Sequence, residues 1–227
     1  MLARLSSQVA RPAFRSLLRS RITGLTARTL HSAQSNPTVL GSSICQRFAS
    51  SMGAQTALDP AEVEALNCLE QGTRLLEEGD VEGAKGLYKR SAEINRNASS
   101  LYNLGVTHYH LKEFDEAIAS WKECIELQPS SPDAHTNLAS AYIVSPLPRP
   151  DLASHHLQIA SSLSPEDPEI AFNLAAVLEA TGKLEEALEQ YKRSETYGIE
   201  RAKLHIRNVS HFINVALLWV TFTRKID

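Results

Sequence analysis

Residues 101–129 read LYNLGVTHYHLKEFDEAIASWKECIELQP, and this stretch decides the fold. Its apolar residues recur at helical spacing on either side of Leu111-Lys112-Glu113, so it reads as two amphipathic helices joined by a tight turn. The pattern then repeats. Leu104-Gly105 returns as Leu138-Ala139 and Leu174-Ala175, with Gln71-Gly72 upstream, at spacings of 33, 34 and 36 residues. Ala117, Trp121, Cys124 and Pro129 correspond to Ala153, Leu157, Ala160 and Pro165; Ala187, Tyr191 and Ser194 follow in a fourth copy, and Ala84, Tyr88 and Ser91 stand in the first. A fixed period of this length means stacked helix pairs, because one pair cannot bury its own apolar stripe.

With the small residue before each turn, the larger one after it and the 34-residue period in place, the chain resembles the tetratricopeptide repeat family over residues 65–201. The resemblance implies an all-α, right-handed α-solenoid of about four helix-turn-helix repeats, at 65–97, 98–131, 132–167 and 168–201, with a C-terminal capping helix. The departures are Arg96 and Ile199 where the family usually places proline, and two extra residues in the third unit. Gly72, Gly105, Ala139 and Ala175 are expected to let the helices of a unit approach closely. Ala84, Ala117, Ala153 and Ala187 are their small counterparts on the second helix, and Tyr88, Trp121, Leu157 and Tyr191 fill the space against the neighbour. Helices are expected at about 60–77, 80–95, 98–111, 114–128, 132–144, 150–163, 167–181 and 184–196, with a ninth from near Ile199. Ser145-Pro146-Leu147-Pro148-Arg149-Pro150 must bulge from the solenoid, as a partner contact or a plain insertion.

The charges are poorly mixed. Of 227 residues, the first 51 contain seven arginines (Arg4, Arg11, Arg15, Arg19, Arg21, Arg28, Arg47), no lysine, and no acid before Asp59. The remaining 16 of the 23 Lys and Arg accompany all 26 Asp and Glu, so the formal charge of -3 hides an acidic body. An acidic body argues against a nucleic-acid partner. Three cysteines (Cys45, Cys68, Cys124), none in a CxxC pair, cannot make a disulfide framework or a closed zinc site.

Residues 1–51 have the composition of a cleavable mitochondrial targeting presequence rather than of a folded segment. Arg15, Arg19 and Arg21 break the longest apolar pieces, which disfavours a secretory signal; a basic disordered arm and a chloroplast address are the other readings. Arg47-Phe48-Ala49-Ser50 resembles a matrix-protease cleavage region, giving a mature start near Ala49 or Ser50, a linker at 52–59 and a solenoid over 60–201. Residues 202–227 combine a polar stretch with the apolar run Phe212–Phe222, too short to span a bilayer. That run is a last helix packed on the solenoid, an interfacial membrane anchor, or translated noncoding sequence.

Chemistry-bearing motifs are sparse. His108 and His110 are two apart on a helix and His155 and His156 adjacent, whereas a helical two-histidine metal site needs i and i+4; no metal and no cofactor is expected. No phosphate loop, nucleophile elbow or HExxH is present. Cys124 sits at a small-residue packing position and reads as a buried thiol. The chain reads as noncatalytic.

What remains is a surface. In tetratricopeptide proteins the first helix of each unit lines a concave groove, which by resemblance places Asn103, Asn137 and Asn173 at one equivalent inward position, as a ladder for a peptide backbone or as ordinary family asparagines. Tyr102, Val106, Tyr109, Phe172 and Ala176 would flank them, with Asp133, Thr136 and Ser140 as a polar stretch. The family's clamp for the C-terminal carboxylate of heat-shock chaperones places Lys and Asn where the first unit here has Leu69 and Thr73, and Lys and Arg where the third has Asp133 and Asn137; counted one unit on, the first pair becomes Tyr102 and Val106, and that partner is not expected. The expected function is a mitochondrial protein–protein interaction scaffold, in the matrix or on the matrix side of the inner membrane, binding a partner peptide or helix, in assembly or quality control of a complex. The alternative is a peripheral inner-membrane adaptor held by residues 212–222.

Overall fold

Among the described residues, five of the nine helices begin where a side chain holds the first free N–H groups. The computed structural model describes residues 59–223, and 59–218 with their side chains. The targeting segment, its cleavage region at Arg47–Ser50 and Cys45 lie outside the described residues. Among the described residues there are nine helices and no strand: α1 (Pro60–Glu77), α2 (Val81–Ile94), α3 (Ala98–His110), α4 (Phe114–Leu127), α5 (Pro132–Val144), α6 (Pro150–Leu163), α7 (Pro168–Ala180), α8 (Leu184–Thr196) and α9 (Ala202–Thr223). Asp59, Asp80, Asn97, Ser131 and Asp167 cap α1, α2, α3, α5 and α7 by accepting from backbone N–H groups one turn on. Proline opens α1, α5, α6 and α7, where its missing N–H costs nothing.

Each helix packs most heavily on its own partner and next on the helix that follows, giving α1/α2, α3/α4, α5/α6 and α7/α8 as stacked pairs and α9 against α8. The turn inside a unit needs one left-handed residue. Gly79 (φ 89°), Lys112 (φ 64°) and Gly182 (φ 83°) supply it in units one, two and four. The third unit has Pro146 there, which cannot adopt positive φ, and the chain takes the longer path 145–149 before α6. The bulge returns through Arg149 N–H donating to the Tyr142 carbonyl (2.8 Å), with the Arg149 guanidinium 4.8 Å over the Tyr142 ring.

The core runs along the interior of the pairs. Ala84, Ala117, Ala153 and Ala187 are sealed from solvent, as are Tyr88, Trp121, Leu157 and Tyr191. A Cβ added to Gly105 would lie 2.5 Å from Trp121 Nε1, and one on Gly72 2.9 Å from the Tyr88 ring, so both glycines are where an aromatic ring lies flat on a helix backbone. Trp121 stays in place by donating its Nε1–H to the Tyr102 carbonyl (3.1 Å). Ser91 and Ser194, equivalent to Cys124, donate to the carbonyls of Ala65 and Pro168 at 2.8 Å each, tying second helix to first.

The final helix differs from its sequence reading. The polar stretch and the apolar run are one continuous helix of 22 residues, α9, and Val209 follows Ala175 by the same 34-residue step. α9 is therefore the first helix of a fifth unit. Ala202, Ile206, Val209 and Ile213 make its inner stripe, with Ala202 and Val209 fully buried. No described helix is long and apolar enough to cross a membrane.

Candidate functional site

The first helices of successive units stand side by side and form one face. Asn137 Nδ2 on α5 donates to the Tyr102 hydroxyl on α3 (3.0 Å), a bond across 35 residues of sequence. Two steps along this face, Arg201, just before α9, pairs with Glu169 of α7 and lies 4.4 Å over the Phe172 ring. His205 of α9 meets Phe172 edge-on at 5.3 Å and stacks on Tyr191 at 4.8 Å.

The three asparagines occupy equivalent turns of α3, α5 and α7, but deeper than an open ladder requires: Asn103, Asn137 and Asn173 are 6%, 0% and 4% exposed. Asn137 uses its amide on Tyr102. Asn103 Oδ1 is buried without a hydrogen-bond partner. Thr136 and Ser140 are also buried, and their hydroxyls donate back to the Pro132 and Thr136 carbonyls. Val106 is in the core. Tyr109 packs between Phe114 (5.6 Å) and Trp121 (5.9 Å), and burial pushes its phenol above the usual range.

The expected set thus divides into two groups. Tyr102, Asn103 and Asn137 form one, at units two and three. Phe172 and Asn173 belong to the other, at unit four, beside Arg201, His205 and Glu179. Glu179 accepts from the Tyr191 hydroxyl (2.8 Å) and contacts His205 Nδ1 (3.4 Å), with its side chain 6% exposed. Sequence reasoning missed Arg201, His205 and Glu179. Extending the period one step, from Ala175 to Val209, was the signal that places Arg201 and His205 on this face.

It also missed a histidine pair, because it compared histidines only within one helix. His135 of α5 and His156 of α6 bring Nδ1 to Nδ1 at 3.0 Å, and His135 Nε2 lies 3.2 Å from the Pro129 carbonyl. A carbonyl only accepts, so His135 carries its proton on Nε2 and His156 donates from Nδ1. Burial drives both pKa values down, that of His156 to about 4, with the neighbouring His135 adding to the effect. Among the described residues no group of three or more metal-ligating side chains is gathered. Cys124 is buried, and its thiol is pushed up to about 11 by desolvation, far from a reactive thiolate.

On the other side, a cleft of about 460 Å³ between α2 and α4 is lined by Lys85, His108 and Glu113 among others. Its charges satisfy each other: Lys85 bridges Glu82 (2.8 Å) and Glu113 (3.2 Å), and His108 Nδ1 lies 2.6 Å from Glu113. The bonds from His108 and Lys85 hold the Glu113 carboxyl below its ordinary range.

Residues 98–131 and 149–198 each match a model of the tetratricopeptide repeat. The fold is a tetratricopeptide-repeat solenoid. Among solved structures it is similar to a crystal structure of MamA protein (TM-score 0.62, 24% identity, covering 71% of this chain and 89% of that one). It is similar also to MamA 41-end from Desulfovibrio magneticus RS-1 (TM-score 0.62, 17% identity, 75% and 95%). YrrB, described as a tetratricopeptide protein with an unusual peptide-binding site, aligns with a TM-score of 0.59 at 20% identity, covering 66% and 78%. No curated protein matches this chain. At these identities the likeness is one of tetratricopeptide fold.

Proposed function

We propose that this protein is a noncatalytic protein-binding scaffold of mitochondria that holds an extended peptide or a helix of another protein along the face made by α3, α5 and α7. The observation that carries the reading is Asn103 Oδ1, an acceptor buried with no partner on that face. Leaving such an atom unsatisfied costs about 1–3 kcal/mol, and a backbone N–H of a bound segment is the complement it lacks. Tyr102, bonded to Asn137 one unit along, sits beside it as a half-buried aromatic anchor. The acidic body favours a neutral or basic segment. The peptide-binding site described for YrrB is consistent with this use of the fold. The seven arginines and absent acids of residues 1–51 support the mitochondrial address.

The test is proximity labelling from intact cells, with the label inserted in the exposed bulge between Pro146 and Leu147 of the full-length chain. A small set of matrix or inner-membrane proteins is expected. Asn103→Leu should remove them while unfolding stability holds or rises, since the substitution deletes an unsatisfied acceptor. A cytosolic set of neighbours would defeat the address, and capture unaffected by Asn103→Leu would defeat the groove.

A further inference from the structure

The repeat register carries the asparagine series beyond the three units that show it. One step before Asn103 the same position holds Glu70, on α1, and one step after Asn173 it holds Arg207, on α9. The first helices therefore present one row, Glu70, Asn103, Asn137, Asn173 and Arg207, with an acid at one end, amides between and a base at the other. Glu70 and Arg207 are both exposed. Among the described residues neither makes an ion pair. The cations nearest Arg207 in sequence are engaged, Arg201 with Glu169 and Lys203 with Glu200.

Two exposed charges alone are ordinary solvated surface, and it is the row between them that points to a ligand. Asn103 Oδ1 is buried without a partner. Asn173 is 4% exposed, and its amide makes no hydrogen bond among the described residues. Amide atoms buried this far and left unpaired are costly unless a bound group completes them. A helix uses its own N–H and C=O groups internally, whereas an extended segment offers them along its whole length. The acid and the base at the two ends then select the side chains of that segment and the way it lies.

We infer that the first-helix groove is directional: it takes an extended segment that lays a Lys or Arg on Glu70 and an Asp or Glu on Arg207, with its backbone on the amides between. This rests on the groove reading and adds to it the charge pattern of the partner. Packed helices lie about 8–10 Å apart, so the four steps from Glu70 to Arg207 cover roughly 32–40 Å. At about 3.3 Å per residue, the two charges of the segment stand roughly ten to twelve residues apart.

Selection of phage-displayed random peptides, about sixteen residues long to cover that span, on the full-length chain tests the inference. Peptides that are also held by Asn103→Leu are subtracted, which removes those bound by the arginine-rich residues 1–51. The remainder should carry a base and an acid at the stated spacing. In fluorescence anisotropy, Arg207→Glu should weaken them by about threefold or more, and Lys in place of the peptide's acid should restore binding to that variant. Glu70→Lys should do the same at the other end, with circular dichroism unchanged in both variants. Selected peptides without the paired charges, or binding equally to the unsubstituted chain and to Arg207→Glu, would overturn the directional groove and leave the groove itself standing. No peptide distinguishing the unsubstituted chain from Asn103→Leu would overturn both.

Discussion

Two glycines of the same protein should respond oppositely to the same methyl group. Gly105 has the Trp121 ring against it, and a Cβ there would meet Nε1 at 2.5 Å and two ring carbons at 2.7 Å. Trp121 is fixed by its bond to the Tyr102 carbonyl and by full burial, so it cannot step aside. Gly105→Ala should therefore destabilise by about 1–3 kcal/mol through overpacking, with Trp121 fluorescence altered. Gly86, within α2, has nothing within 4 Å of its added Cβ. Gly86→Ala should stabilise by about 0.5–1 kcal/mol through helix propensity. Urea unfolding of both variants checks the register: similar effects of one sign would contradict it. These packing positions were legible because a small residue opposite a large one repeats at a fixed period, a signal that survives changes of residue identity.

At the scale of the element, α5 and α6 are joined by a contact with a pH signature. The His135–His156 bond requires a neutral acceptor, so a proton on His135 Nδ1 sets donor against donor, and burial disfavours charge on either ring. His155 lies beside His156 (ring centroids 5.3 Å), and Lys122 also disfavours its charge. Both folded-state pKa values lie below the ordinary 6.5, so the unfolded chain binds more protons as pH falls. Stability contributed by the pair is complete above about pH 6.5 and is lost on acidification toward the His156 value of about 4. Melting temperature recorded against pH should fall through that window, and His156→Gln should flatten the fall; an identical slope in the variant would contradict the assignment. Helix ends were readable to within a residue or two because caps and prolines mark them locally. The nature of α9 was not: its inner stripe, Ala202 to Ile213, overlaps the apolar run, and only the register relative to Ala175 separates the two. The histidine pair was hidden because its members are 21 residues apart on different helices.

The whole molecule is a stack in which one face is built from first helices alone, and the proposed function rests on that face. Equivalence of Asn103, Asn137 and Asn173 followed from the period, but their depth did not. It depends on partners such as the Tyr102 hydroxyl, 35 residues from Asn137. Sequence reasoning therefore marked a line of positions on the first helices and left open which side chains remain for a ligand. The acidic body is a whole-chain property, legible from charge placement without any structure. The most direct measurement is photo-crosslinking in cells from p-benzoylphenylalanine placed singly at Tyr102 or Asp133, on the first-helix face, and at Lys122 or Glu189, exposed on second helices. Partner adducts are predicted from Tyr102 and Asp133 and not from Lys122 or Glu189. Adducts from the second helices alone, or equally from all four positions, would contradict a partner held in the first-helix groove.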